Sequence, residues 1–74
     1  MASIYGTAVR SDGSKVDRTV RISTSWNSNV AFPRNGEYTL NLGGNPKKDV
    51  TVYVDGMRYV TVYVDGNTRL DIEV

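Results

Sequence analysis

The seven-residue stretch VTVYVDG occurs twice in this chain, at residues 50–56 and again at residues 60–66. Within each copy valine alternates with threonine or tyrosine, and a period of two residues is typical of a β-strand with one buried face. Each copy ends in Asp-Gly, a dipeptide favoured in hairpin turns because glycine accepts a positive φ angle. The repeat therefore predicts three strands joined by two turns, an antiparallel meander whose last strand covers residues 70–74.

The rest of the chain predicts further short strands separated by turn residues. Pro33 has no backbone N–H, so its strand belongs at a sheet edge or a strand end. A single sheet of about seven strands would leave its apolar face in water, which argues for two layers. We expect one domain over residues 1–74, an all-β antiparallel sandwich of transthyretin-like or Ig-like type, with a small β-barrel as the alternative. The additional predicted strands are residues 3–10, 18–25, 30–33 and 37–42.

Three segments in the first half carry a family resemblance. The strand IYGTAV at residues 4–9 leads to an Asp-Gly turn, TVRI follows at residues 19–22, and NGEYTL follows at residues 35–40. Their order and spacing resemble the carboxypeptidase regulatory-like domain, a transthyretin-like β-sandwich, over roughly the first 42 residues. The resemblance implies a non-catalytic module of the kind appended to enzymes and surface proteins. It slightly favours an extracellular or surface location; the N-terminal residues do not read as a signal peptide, and the compartment is otherwise undetermined.

The composition excludes several kinds of catalytic site and metal site. The chain has no cysteine and no histidine, which excludes Ser-His-Asp and Cys-His relays and the ordinary zinc sites. The net charge of +1 gives no indication of a polyanionic partner. Asp12 and Asp17 could supply oxygen ligands to calcium, but turn chemistry is the preferred interpretation because six to eight oxygens are needed. We expect no enzymatic activity, and no catalytic, cofactor-binding or metal-binding residue.

The polar positions of the repeat form the candidate interaction surface. If the valines face the core, Thr51, Tyr53, Thr61 and Tyr63 share the opposite, outward face. Threonine and tyrosine side chains stabilise each other across neighbouring strands, which is a purely structural explanation of the pattern. Tyrosine also provides rigid contact area at interfaces, so the same face could bind a protein, a second copy or a sugar.

Trp26 is the remaining candidate, and it stands alone at the end of a predicted strand. A single tryptophan in a small sandwich usually fills the core or closes one end, whereas an exposed one would be an anchor for a partner or a carbohydrate. The sequence thus favours a structural or interaction module that acts through protein–protein contacts or self-assembly, with no membrane insertion. A carbohydrate- or ligand-binding module is the alternative, and a nucleic-acid-binding small barrel is the second alternative.

Overall fold

The computed structural model describes residues 2–74, and within that range the regular structure consists entirely of β-strands. Valine, isoleucine, threonine and tyrosine fill these strands because their branched or aromatic side chains pack well on a pleated sheet. The strands are β1 (Ser3–Val9), β2 (Ile22–Thr24), β3 (Val30–Ala31), β4 (Glu37–Asn41), β5 (Lys48–Val54), β6 (Met57–Val64), β7 (Thr68–Arg69) and β8 (Ile72–Glu73).

The strands form two separate sheets. In the first sheet β1 is central, with β4 on one side and both β7 and β8 on the other. The second sheet has the order β3-β2-β5-β6, so β3 and β6 are its edges. Neither sheet closes on itself, so the β-barrel alternative is wrong. Two open sheets around one hydrophobic core confirm the all-β sandwich. No helix in residues 2–74 has the length and hydrophobicity needed to cross a membrane.

The core lies between the two sheets and is built from alternate strand residues. Val50, Val52 and Val64 are fully buried, as the alternation predicts. The three other valines of the repeat are partly buried and pack against the same cluster. The buried hydrophobic residues are Ala2, Ile4, Ala8, Val16, Val20, Ile22, Ala31, Tyr38, Leu40, Leu42, Val50, Val52, Val64 and Ile72.

The predicted meander is correct for its first hairpin and wrong for its third strand. Strands β5 and β6 pair antiparallel, and Asp55 and Gly56 both have positive φ angles, as a two-residue hairpin of type I′ requires. After β6 the chain crosses to the first sheet, where β7 and β8 run parallel to β1. At the second Asp-Gly only Gly66 has a positive φ, so no tight hairpin forms there.

The side chain of Asn45 accounts for this different second turn. Its Nδ2 donates to Asp65 Oδ1 at 2.8 Å, and its Oδ1 accepts the Gly66 N–H at 2.9 Å. Both bonds hold the turn against the loop that precedes β5. The chain is thereby directed away from β6 and towards β1.

The second strand is shorter than the sequence predicts. It covers Ile22–Thr24 instead of residues 18–25. Arg18 has a φ of 62°, in the left-handed region that strands avoid, and its N–H donates to Pro33 O at 2.7 Å. Because the chain bends at residues 18–20, the first part of the predicted strand does not join the sheet.

The parallel pairing of the first sheet is interrupted at Gly6. The Leu70 N–H donates to Tyr5 O at 2.7 Å, but the next donor, the Thr7 N–H, bonds to Asp71 Oδ1 at 3.0 Å. A carboxylate therefore replaces a backbone carbonyl at one point of the ladder. The gap separates β7 from β8, and only Ile72–Glu73 of the predicted last strand, residues 70–74, is a strand.

Candidate interaction surface

The side of the second sheet that faces away from the core is called the outer face below. Thr51 and Tyr53 alternate with the buried valines of β5, and Thr61 and Tyr63 alternate with the inward valines of β6. Thr51 and Thr61 are directly opposite in the ladder, and their Oγ1 atoms are 3.2 Å apart. The structure thus brings the four predicted residues of the repeat together on one side of one sheet.

One row of the outer face crosses all four strands. The register pairs Val30 with Ser23, Ser23 with Tyr53, and Tyr53 with Arg58. Neighbouring residues along this row are spaced as adjacent strands, about 5 Å apart. The row therefore spans roughly 15 Å, enough to contact an extended segment of another molecule.

Two apolar residues at the β3 edge, Val30 in the strand and Phe32 directly after it, were not placed on this surface by sequence reasoning. Val30 is 45% exposed and Phe32 is 54% exposed, while Ala31 and Pro33 are buried. The larger apolar side chains thus face water and the smaller ones face the core. This inverted alternation over residues 30–33 is a signal that the sequence contains.

A bulge changes which tyrosines of β6 reach the outer face. The register shifts between Val52 and Tyr53, so that Tyr53 is opposite Arg58 and Tyr59 becomes the extra residue. The Tyr59 hydroxyl accepts the Glu73 N–H at 3.1 Å, which ties β6 to the first sheet. Tyr63 lies beyond the bulge and is 61% exposed, so it remains on the outer face.

Trp26 lies at one end of the sandwich, apart from the four outer-face residues of the repeat. Its Nε1–H donates to Leu42 O at 3.0 Å, and the Lys48 ammonium lies 5.3 Å from the ring centroid. The side chain is still 36% exposed. The indole closes the end of the sandwich, and a cation–π contact occupies one of the ring faces that a sugar would need.

Strand β6 leaves one long edge of the second sheet open. The Thr51 C=O accepts the Ser25 N–H at 2.9 Å, and the Thr51 N–H donates to Ser25 Oγ, so the Thr51 backbone faces β2. In an antiparallel ladder the residue opposite then directs its own N–H and C=O the other way. Thr61, and by alternation Tyr63, therefore present backbone donors and acceptors at the open edge.

The acidic side chains are used in turns and strand junctions. Asp12 Oδ1 accepts the backbone N–H and the hydroxyl of Ser14, and these hydrogen bonds lower the pKa of Asp12. Asp17 Oδ1 accepts the Asn35 N–H at 3.2 Å. Asp12 is thus bonded within its own turn, whereas Asp17 accepts from a turn eighteen residues away. The described residues contain no cluster of three or more potential metal ligands.

Two other groups with shifted pKa values, Asp71 and Tyr38, lie at the junction between β1 and β8. The Thr7 N–H is the main cause of the lowered pKa of Asp71, with a further contribution from Arg69 at 3.3 Å. Burial raises the pKa of Tyr38, whose hydroxyl donates to Leu70 O, and the nearby Asp71 charge raises it further. The ionised carboxylate of Asp71 accepts the Thr7 N–H, and the neutral phenol of Tyr38 donates to Leu70 O. These are the protonation states that keep the two hydrogen bonds.

The first sheet offers a less apolar surface. A shallow depression on it is lined by Tyr5, Thr7, Thr39 and Arg69, together with Gly6, Glu37 and Tyr38. Arg69 is paired there with Asp71. Among the residues that line this depression, Tyr5 is the only exposed large hydrophobic side chain, whereas the second sheet has several.

No protein-family model, curated protein or solved structure matches this chain.

Proposed function

We propose that this protein is a non-catalytic interaction module that binds another protein chain through the outer face of its second sheet. The proposal is supported by two exposed apolar side chains, Val30 and Phe32, at the β3 edge of the outer face, where Val30 shares a ladder row with Tyr53. Tyr63 is exposed on the same face, at the far end of β6. An antiparallel sheet commonly has polar residues on its solvent-facing side, whereas residues 30–33 have their larger apolar side chains on that side. Aromatic side chains beside small hydroxyl groups are typical of protein-binding surfaces.

The acidic groups support a non-catalytic role. A general acid near neutral pH needs a carboxyl whose pKa is raised, whereas the shifts at Asp12 and Asp71 are both downward. Those carboxylates stay ionised and keep hydrogen bonds that hold turns together. The resemblance to the carboxypeptidase regulatory-like domain has the same implication, since that family consists of accessory modules.

Protein is favoured over carbohydrate as the partner because of the position of Trp26. Its ring is turned towards Leu42 and Lys48, away from the outer-face tyrosines, so the aromatic groups do not form one stacking platform. Nucleic acid is disfavoured because charges of both signs, Arg58 and Asp49, are present on the outer face.

Site-specific photo-crosslinking tests the proposal. A benzophenone amino acid replaces Phe32 in one variant and Tyr5, on the first sheet, in a matched control. We expect illumination in the source cell to give protein adducts from position 32 and few or none from position 5, with the adducts lost when Tyr53→Ser is added. Equal labelling from both positions, or adducts that survive Tyr53→Ser unchanged, would contradict binding through the outer face.

A further inference from the structure

The open edge of β6 points to a specific partner for this module. The segment from Tyr59 to Val64 reads YVTVYV and has no charged residue and no proline. Natural proteins usually protect a long edge strand with lysine, proline or a covering loop, because unpaired backbone groups invite another strand. The edge beside β6 has only the bulge at Tyr59 at one end.

The valines of β6 that point towards the core are less completely buried than those of β5. Val50 and Val52 on β5 are fully buried, whereas Val62 and Val60, their opposite neighbours on β6, are only partly buried. All four point towards the core, but β6 has a neighbouring strand on one side alone. A further strand at this edge would cover the remaining apolar surface of Val60 and Val62.

We propose that a second copy of this chain pairs with β6 through its own β6, antiparallel across a two-fold axis at Val62. This inference goes beyond the proposed function, because it uses the edge of the second sheet and not its outer face. Thr61 of each copy is then opposite Tyr63 of the other, and these are the residues whose N–H and C=O groups face the open edge. Each such pair exchanges two hydrogen bonds, and the result is one continuous sheet of eight strands.

Charge complementarity favours a second copy and this register. Arg58 lies at the start of β6 and Asp65 directly follows its end. At the bulge, Arg58 and Tyr59 share one position of the ladder. Antiparallel pairing about Val62 therefore places Arg58 of each copy opposite Asp65 of the other. The two ends of the new strand pair therefore each carry one attractive charge pair.

The opposite edge of the sheet explains why the assembly closes as a dimer. Strand β3 has only two residues, and Pro33, two positions after its end, has no N–H to donate. Pairing through β6 consumes the only long edge of the second sheet and leaves the blunted β3 edges outside. A single-strand interface lies at the small end of stable interfaces, below about 1,200 Å², so the dimer is expected to be weak and concentration-dependent.

Sedimentation equilibrium from micromolar to millimolar concentration tests this pairing with three proteins. The natural sequence should dimerise, and Thr61→Pro, which removes an edge N–H without breaking the β5–β6 ladder, should weaken dimerisation about tenfold or more. Phe32→Ser, on the outer face but away from β6, should dimerise like the natural sequence. Circular dichroism checks that both variants remain folded.

Amide hydrogen exchange of the natural protein provides a second readout that does not depend on the proline variant. We expect the Thr61 and Tyr63 amides to exchange more slowly as concentration rises, while Thr39 on β4 is unchanged. A strict monomer at millimolar concentration, or unaltered exchange at Thr61 and Tyr63, would overturn the β6 pairing. Dimerisation lost in Phe32→Ser and retained in Thr61→Pro would also overturn it, but would leave the proposed outer-face function standing.

Discussion

Gly6 shows at the scale of a single residue how closely the two ends of the chain approach. A Cβ atom at this position would overlap the Leu70 carbonyl oxygen and would come within 2.8 Å of Asp71 Oδ1. Since β1 is the central strand of the first sheet, its backbone cannot move aside without disturbing β4. Glycine is therefore required here for space within the strand.

Replacing Gly6 with alanine should destabilise the fold. We expect Gly6→Ala to lower the free energy of unfolding by about 1–3 kcal/mol, the usual cost of overpacking. The matched control is Gly44→Ala, where the added Cβ would be 3.9 Å from its nearest neighbour in the Trp26 ring. Urea denaturation measures both, and an equal, small effect of the two substitutions would contradict the close approach at Gly6.

Asp71 makes stability depend on pH because its carboxylate replaces a backbone acceptor. Its pKa is lowered in the folded chain, mainly by the Thr7 N–H, so the unfolded chain binds the proton more tightly. The stabilisation is therefore present above the unfolded pKa of about 3.9 and is lost as the pH falls through the folded value.

The asparagine variant isolates this contribution. Asp71→Asn keeps an oxygen for the Thr7 N–H but cannot titrate, so its urea midpoint should fall less than that of the natural protein between about pH 5 and pH 2. Asp49→Asn is the matched control, because Asp49 lies opposite Tyr63 on the second sheet, away from the β1–β8 junction. Parallel pH profiles of the natural protein and Asp71→Asn would show that Asp71 has no such role.

At the scale of elements, two identical heptapeptides end in different turns. Asp55-Gly56 closes the β5–β6 hairpin, whereas Asp65-Gly66 sends the chain to the other sheet. The distinguishing contact is the Asn45 side chain, which holds Asp65 and Gly66 through two hydrogen bonds. Local sequence thus sets the strand, and a distant side chain sets the connection.

Removing this side chain should loosen the crossing between the sheets. We expect Asn45→Ala to cost about 1–3 kcal/mol, the value of two ordinary hydrogen bonds, and to speed amide exchange in β7 more than in β5. Asn41→Ala is the comparison, because the bond recorded at Asn41 is accepted by its backbone oxygen. If exchange in β7 does not change in Asn45→Ala, another contact directs the crossover.

The same contrast shows what could be predicted from the sequence. Alternation placed Val50 and Val52 inside and Thr51 and Tyr53 outside, because strand periodicity is a local property. The parallel pairing of residues 68–73 with β1 could not be predicted, since it depends on a contact between Asn45 and residues twenty positions away. The exposed Val30 and Phe32 were missed because residues 30–33 are too few for alternation to be read with assurance.

At the scale of the whole molecule the sandwich has two unlike sides. The first sheet joins the two ends of the chain, and its junctions are held by Gly6, Tyr38 and Asp71. The second sheet has a partly apolar outer face and a long open edge at β6. The physical account is that one layer holds the fold together while the other is available for binding.

Amide chemical-shift mapping of the isotope-labelled protein tests this division most directly, by comparing a dilute with a concentrated sample. We expect concentration-dependent shifts at Thr61, Tyr63 and their neighbours on β6, with the amides of Tyr5 and Thr39 on the first sheet unchanged. Concentration-dependent shifts centred on the first sheet, or a spectrum that does not change up to millimolar concentration, would contradict it.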